Sequence, residues 1–427
     1  INKLKVDEVL IAIPSTSRSR RLSIIDAFES YPVIVRMLPS LADLAGGKVS
    51  VDDLRKVSIK DLLGRDTALV NRDLIGKNIF NKVVLVTGAG GSIGSELCRK
   101  ILSLKPNKLI LYEMSELALY SIEKELSNLG AHQIDIYPVL GNINNKNRLN
   151  KVFKNFMVDT IYHAAAYKHV PMVEFNNAEG VDNNIFGTLN CAQAAIDCGV
   201  ETFVLISTDK AVRPTNTMGA TKRSAELILQ ALSVNQSGTK FTMVRFGNVL
   251  DSSGSVIPLF KQQIKEGGPI TVTDKNIVRY FMMIPEAVEL VIQAGAMGTG
   301  GDVFVLDMGE PVRIDDLARK MIGLSGLEVK DESHPDGDIE IKYIGLRSGE
   351  KLYEELLIGG KVSNTDNPLI MRAEEDTIVW DELEPILKGL RSAVIGCDQK
   401  ELRKLLIQLV PGFKPQSEIT DILYKEV

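Results

Sequence analysis

The sequence predicts an α/β protein built on a doubly wound parallel sheet of the Rossmann type, followed by a smaller α/β lobe and preceded by a partial α/β region. Three observations carry this. Apolar, β-branched runs alternate with amphipathic stretches from Lys82 to Phe246, a glycine-rich turn joins the first run to the first helix, and the acidic Glu113 closes the second run.

In chain order, Val6 to Ile13 reads as a strand, Arg18 to Ser30 as a helix, and Val33 to Leu38 as a second strand. Together with a helix from Val51 to Gly64, they suggest a truncated domain over residues 1–75. The run Val83-Val-Leu-Val-Thr87 suits a strand buried on both faces. Helix Glu96 to Leu104, strand Lys108 to Tyr112, helix Leu117 to Leu129 and strand Ile134 to Val139 follow. Strand Thr160 to Ala164, helix Val181 to Cys198, strand Thr202 to Ile206 and strand Phe241 to Phe246 complete a dinucleotide-binding domain over 76–250. Glycines and prolines then punctuate a lobe over 251–360, and a helical, mixed segment fills 361–427.

The chain has 427 residues, 44% of them hydrophobic and 25% charged, which is a globular composition too long for one small domain. A formal charge of −5 excludes the dense basic face that a nucleic-acid partner requires. Cys98, Cys191, Cys198 and Cys397 have no paired metal-ligand spacing, so no metal is expected, and they read as thiols in a reducing, cytoplasmic compartment. No apolar run approaches the roughly 20 residues of a membrane helix, so this stretch requires no membrane contact.

Thr87-Gly88-Ala89-Gly90-Gly91-Ser92-Ile93-Gly94 sets Gly88, Gly91 and Gly94 in a GxxGxxG frame between strand and helix. The first glycine permits the turn, the second lets backbone approach a pyrophosphate, and the third lets the helix pack closely on the sheet. The helix start, at Ser92 and Ile93, offers unpaired N–H groups to phosphate. Glu113 stands 19 residues after Gly94, where a carboxylate binds ribose hydroxyls and repels a 2′-phosphate, so NAD is favoured over NADP. Asn142 and Ile143 follow the third strand, where an amide can bond adenine. Ala164 and Ala165 follow the fourth, where small side chains admit a flat cofactor.

Ser207-Thr208-Asp209-Lys210 ends the fifth strand, and Pro214 to Lys222 follows. With Thr87 to Gly94, His163 to Pro171, Asn184 to Thr188, Arg245 to Pro258, Arg279 to Met283 and Arg347 to Lys351, these stretches resemble extended short-chain dehydrogenases/reductases. They are closely similar to the bacterial UDP-N-acetylglucosamine 4,6-dehydratases of surface-polysaccharide and protein-glycosylation pathways. The nearest resemblance is to the long, membrane-associated branch and its Campylobacter-type N-glycosylation members. A chain starting at Ile1 is consistent with a missing N-terminal region that anchors the longer protein to the inner membrane.

The resemblance implies NAD as cofactor, a UDP-N-acetylhexosamine as substrate, and a homodimer or higher homo-oligomer whose four-helix bundle comes from helices 181–198 and 217–234. Lys222 occupies the lysine position of the superfamily's Tyr-x-x-x-Lys pair. Met218, which cannot exchange a proton, occupies the tyrosine position, as it commonly does in the long dehydratases. By the same resemblance Lys210 takes the C-5 proton, Asp209 protonates the leaving C-6 hydroxyl, and Thr208 positions the C-4 hydroxyl. These roles require a depressed lysine and a raised aspartate. Adjacent strand residues point to opposite faces, so the two converge only if the chain already turns at Thr208. Lys168 and His169 fall on the sugar-facing loop, and Arg245, Asn248, Ser255 and Val256 lie where the second lobe begins. Arg279 and Arg347 are candidate diphosphate clamps, with Glu350 at the uridine ribose. Two other readings stay open: a UDP-sugar 4-epimerase, which would need an acid/base at residue 218, and a non-catalytic NAD-binding regulator.

Overall fold

Val83–Thr87 (β1) is buried along its whole length, as its unbroken apolar run requires. The computed structural model describes residues 71–424 apart from 130–133, 251 and 358–361, together with parts of 6–38 and residues 55–56. They fall into two units, residues 69–247, 284–308 and 347–427 in the larger, and residues 1–68, 248–283 and 309–346 in the smaller. The smaller unit is therefore discontinuous, where a contiguous 251–360 lobe was expected, and the C-terminal segment belongs to the larger one.

In the larger unit, β1 is joined by Lys108–Glu113 (β2), Asp135–Leu140 (β3), Thr160–His163 (β4), Thr202–Ile206 (β5), Lys240–Arg245 (β6), Asp302–Leu306 (β7), Val362–Asn364 (β8) and Ile370–Ala373 (β9). The sheet order is β8-β9-β7-β6-β5-β4-β1-β2-β3. All pairings are parallel except those of β9 with β7 and with β8. The order reverses between β1 and β4, and ligands bind in such sheets at the carboxyl ends of strands flanking that point.

Ser92–Ser103 (α1), Glu116–Asn128 (α2) and the later Ile284–Met297 pack on one face. On the other lie Lys146–Phe156 (α3), Gly187–Asp197 (α4) and Thr217–Val234 (α5). The expected helix 181–198 is instead a composite, with Asn177–Val181 α-helical and Asp182–Phe186 a π-turn leading into α4. With Ile284–Met297 numbered α6, the C-terminal Trp380–Ile395 (α7) and Gln399–Leu409 (α8) pack against each other and against α5. Leu383, Leu387, Leu390, Leu402, Leu406 and Leu409 join the core cluster that contains Leu227, Ile228 and Leu229 of α5.

That packing covers one of the two helices expected in a dimer bundle. The face of α5 assigned to a dimer bundle is covered by the chain's own helices, and Thr217 through Leu232 are all buried.

The smaller unit contains a three-stranded sheet in which Glu8–Ile11 pairs parallel to Ile34–Met37, and the latter antiparallel to Arg55–Lys56. The strand at 55–56 departs from the helix expected across Val51 to Gly64, the rest of which lies outside the described residues. Ile270–Val272, Val329–Lys330 and Ile339–Tyr343 form a second sheet, with helices Val256–Lys265 and Ile314–Leu324. Among the described residues, no helix is long and apolar enough to cross a membrane, and no cluster of ligating side chains suits a metal.

Candidate active site

The glycine turn lies between β1 and α1, where its spacing puts it. Gly88 has φ +64°, and a Cβ there would come within 2.8 Å of the Ala165 backbone. A Cβ on Gly94 would collide with the Gly88 carbonyl oxygen. Gly91 is the N-cap of α1, with Ser92 and Ile93 in its first turn, so the helix's first N–H groups face outward from the turn. Gly88, Gly91, Glu113, Ile143, Ala164 and Ala165 all line one cavity of about 260 Å³. Asn142 is exposed beside it and accepts from the Tyr112 hydroxyl through its carbonyl oxygen at 3.0 Å. Glu113 receives Gly90 N–H on Oε2 at 3.0 Å, and Met114 and Ser115 N–H on Oε1 at 2.9 and 3.0 Å. Its charge thus stands fixed at the cavity wall. Backbone-lined at the turn, opening on a helix start and carrying a carboxylate at the end of β2, the cavity fits a dinucleotide.

At the end of β5 the chain is extended at Thr208 (φ −151°, ψ 157°) and then winds into the 3₁₀ turn Asp209–Ala211. The turn thus begins one residue later than expected, at Asp209 rather than at Thr208, and Asp209 and Lys210 lie within it. Lys210 Nζ lies 3.0 Å from Asp209 Oδ1, and the Thr208 hydroxyl donates to the same oxygen at 2.8 Å. Asp209 Oδ2 is buried with no hydrogen-bond partner among the described residues. A third ionisable group, absent from the sequence expectations, completes the cluster: Glu354 Oε1 stands 3.9 Å from Lys210 Nζ.

Met218 is 3% exposed and sits one helical turn before Lys222 on α5. The buried Lys222 ammonium donates to the Ile206 carbonyl at 2.6 Å. Burial lowers its pKa to about 8 against the opposing charge of Glu226. One further turn along α5, Glu226 accepts from the Ser207 hydroxyl at 2.6 Å. Residues 218, 222 and 226 thus form one stripe of α5 along the end of β5.

Arg245 requires a correction. It is wholly buried and forks between Glu226 (Nε 2.8 Å, Nη2 2.5 Å) and Glu375 (Nη1 2.5 Å, Nη2 2.8 Å), which Arg223 also meets. Burial would raise the Glu226 pKa, but the charges of Arg245 and Arg223 hold it down at about 2. With its fork occupied on both sides, Arg245 supports the end of β5 from below and is not a sugar contact.

Lys168 and His169 lie exposed on the loop after β4. That loop is held by Asn184 in the π-turn, which receives Tyr167 N–H at 2.8 Å and donates to Tyr167 O at 2.9 Å and to Thr221 Oγ1 at 3.0 Å. Arg347 is exposed, and its backbone N–H donates to the Glu350 carboxylate at 3.1 Å in a tight turn. Asn248, Ser255, Val256 and Arg279 belong to the smaller unit. There Asn248 N–H donates to Tyr280 O at 3.2 Å, Ser255 is the N-cap of the helix that Val256 begins, and the buried Arg279 donates to its neighbour Val278 O at 2.7 Å.

A dinucleotide-type cavity at the ends of β1, β2 and β4, with a carboxylate–lysine cluster at the end of the adjoining β5, defines a Rossmann-type enzyme. The model of a polysaccharide biosynthesis protein family matches residues 84–375, and the chain belongs to that family. It is 47% identical over 391 residues to the capsular polysaccharide biosynthesis protein CapD of Staphylococcus aureus, covering 91% of this chain and 64% of that protein. It thus spans under two thirds of that relative's length. It is 34% identical over 284 residues to the inverting UDP-N-acetylglucosamine 4,6-dehydratase of Campylobacter jejuni serotype O:2, covering 65% of this chain and 78% of that one. Among solved structures, Pen from Bacillus thuringiensis superimposes with a TM-score of 0.62 at 34% identity, over 73% of this chain and 98% of that one. The relatives include nucleotide-sugar dehydratases and epimerases.

Proposed function

We propose that the chain converts UDP-N-acetylglucosamine to a UDP-4-keto-6-deoxy-N-acetylhexosamine, with NAD as a resident cofactor held by Gly88, Gly91, Ser92, Ile93, Gly94, Glu113, Asn142, Ile143, Ala164, Ala165 and Lys222. The observation that carries this reading is the Lys210–Asp209 contact of 3.0 Å at the end of β5, with the Thr208 hydroxyl on the same carboxylate oxygen. NAD, when bound, supplies hydride exchange with the sugar and leaves no net oxidation.

The chain's own residues manage protons. The Thr208 hydroxyl positions the C-4 hydroxyl, and the proton released there passes to Asp209, which takes the place of the phenol missing at Met218. Lys210 removes the C-5 hydrogen, made acidic by the adjacent carbonyl. Asp209 then gives its proton to the departing C-6 hydroxyl, which leaves as water, and Lys210 gives its proton back to C-5 to complete the ketone product. Within the larger unit, Lys168 and His169 are proposed to face the sugar, Arg347 the diphosphate and Glu350 the ribose. The relationship to the Campylobacter dehydratase supports this reading. A 4-epimerase remains the second reading because a UDP-glucose 4-epimerase of Rickettsia akari is 32% identical over 294 residues, while the buried thioether at 218 disfavours it.

The test is incubation of UDP-N-acetylglucosamine with the protein and NAD, followed by mass spectrometry. Loss of one water is expected, whereas an isomer of unchanged mass would establish the epimerase, and no turnover would favour a regulator. Lys210→Ala is expected to bind NAD normally and to lose dehydration, and full activity in that variant would remove the proposed base.

A further inference from the structure

We propose that Glu354 is the second carboxylate partner of Lys210, holding it as an ammonium in the resting site and releasing it as a base only after Asp209 has been protonated. The inference rests on the dehydratase reading for its chemical meaning, and on geometry for the pairing.

Residues 349–355 are interlocked with the loop that follows Lys210. The Thr215 hydroxyl and Asn216 side chain both donate to Gly349 O, at 3.1 and 2.9 Å. Lys351 Nζ donates to Val212 O at 3.0 Å, and Arg213 pairs with Glu355. These bonds fix Glu354, 4% exposed in its side chain, at 3.9 Å from Lys210 Nζ. Two carboxylates face Lys210 from different elements. Asp209 comes from its own turn and Glu354 from the 349–355 segment. The neighbouring cations Lys351, Arg213 and Lys222 are engaged by Val212 O, Glu355 and Ile206 O, respectively.

Two carboxylates around one ammonium carry a net charge of −1, and each opposite charge at this range favours the protonated lysine. A base for C-5 must be the free amine. When Asp209 gains the C-4 hydroxyl proton, the cluster's net charge rises to zero, one of the two forces holding the lysine proton is gone, and the partly exposed Lys210 gives that proton to solvent before it takes the one at C-5. Deprotonation at C-5 is thereby tied to prior oxidation at C-4, before which the C-5 hydrogen is not acidic. The proton on Asp209 leaves with the C-6 hydroxyl as water, Lys210 returns its proton to C-5 and takes one back from solvent, and the cluster returns to its starting charge. Glu354 acts through Lys210 and is a positioning residue. It also lies on the segment that carries Arg347 and Glu350, so nucleotide binding and the charge of Lys210 share one mechanical element.

The test measures Lys210 directly. Wild type, Glu354→Gln and Glu354→Asp, each with NAD, are pulsed with an amine-acylating reagent across pH, and modification of Lys210 is read by peptide mass spectrometry. In Glu354→Gln the pH of half-modification is expected to fall by about 1–3 units, with Glu354→Asp in between. An unchanged or raised value overturns the pairing. If Glu354→Gln does not fold by thermal melting, Glu354→Asp alone decides, and a value equal to wild type overturns it. In parallel, the acid limb of the pH profile for water loss is expected to move down in the same variants. Wild-type water loss with an unmoved limb overturns the inference and leaves the dehydratase reading standing. A shifted half-modification pH in a protein that never loses water supports the pairing and removes that reading.

Discussion

His163, at the end of β4, is wholly buried between two hydroxyls. Thr188 Oγ1 donates to the Asn184 carbonyl at 2.7 Å, so it can only accept from His163 Nε2, 3.1 Å away, and Nδ1 then accepts from Thr87 Oγ1 at 2.8 Å. The imidazole is therefore neutral. Burial, reinforced by the Lys222 charge, lowers its pKa to about 3. The unfolded chain binds a proton at this residue below its ordinary pKa near 6.5, while the folded one does not. Stability contributed here is thus complete above about 6.5 and lost as pH falls toward 3, at about 1.4 kcal/mol per pH unit. Urea unfolding of wild type and His163→Gln between pH 7 and 5 is expected to show a steeper loss in wild type, and parallel curves would contradict the neutral assignment. Met218 gives a second prediction at this scale. It is buried one turn from Lys222, so Met218→Tyr places a phenol beside an amine lowered to about 8. If Thr208 and Asp209 carry the C-4 proton, the dehydration rate should change less than tenfold, whereas a large gain would show that methionine had limited that step. Of the cluster at the end of β5, Thr208, Asp209 and Lys210 were legible because they are contiguous. Glu354 was not, because the Leu352 to Glu355 stretch has the composition of an ordinary charged surface and nothing in it states that it docks on Lys210.

Among the elements, α5 does the most to fix the end of β5, through Lys222 on the Ile206 carbonyl and Glu226 on the Ser207 hydroxyl. Glu226 is in turn shared by Arg245 and Arg223. Removing one partner from such a network leaves a buried charge uncompensated, which costs about 3–5 kcal/mol. Glu226→Ala is therefore expected to lower unfolding stability by that order in denaturant titration, and a loss below about 1 kcal/mol would show that Glu375 alone suffices for Arg245. The network also shows where sequence reading stopped. Strands β1 to β6 are contiguous β-branched runs between turn signals, and each was found within a residue or two. Arg245 looked like a ligand because its partners lie 19 and 130 residues away, and long-range pairing leaves no local pattern. For the same reason β9, antiparallel at the sheet's far end and 64 residues beyond its neighbour β7 in sequence, fell within a segment read as mixed helix and turn.

For the larger unit as a whole, the C-terminal segment closes the core and then straps the active-site loop. Helices α7 and α8 cover α5. Beyond α8, Lys414 N–H donates to Pro214 O at 3.0 Å, Gln416 N–H to Thr215 O at 3.2 Å, and Ile422 N–H to Phe175 O at 3.1 Å. Asp421 receives Asn177 N–H at 2.7 Å. The strap thus spans the loop between Lys210 and Met218 and the short helix after β4, while Glu174 of that helix receives Thr217 N–H at 2.5 Å. Two truncations should therefore differ in kind. Ending the chain after Asp376 removes α7 and α8 and bares the apolar face of α5, and an exposed patch of that type drives association. Size exclusion with light scattering should show self-association or aggregation. Ending it after Phe413 keeps both helices and removes only the strap, so melting temperature and NAD binding should change little. Amide exchange across residues 211–217 should nevertheless accelerate, and the proposed dehydration should slow as the turn bearing Asp209 and Lys210 loses its outer support. Unchanged exchange in that loop would mean that the interlock of residues 349–355 holds it unaided, and equal association by both truncations would show that α7 and α8 are not what seals α5.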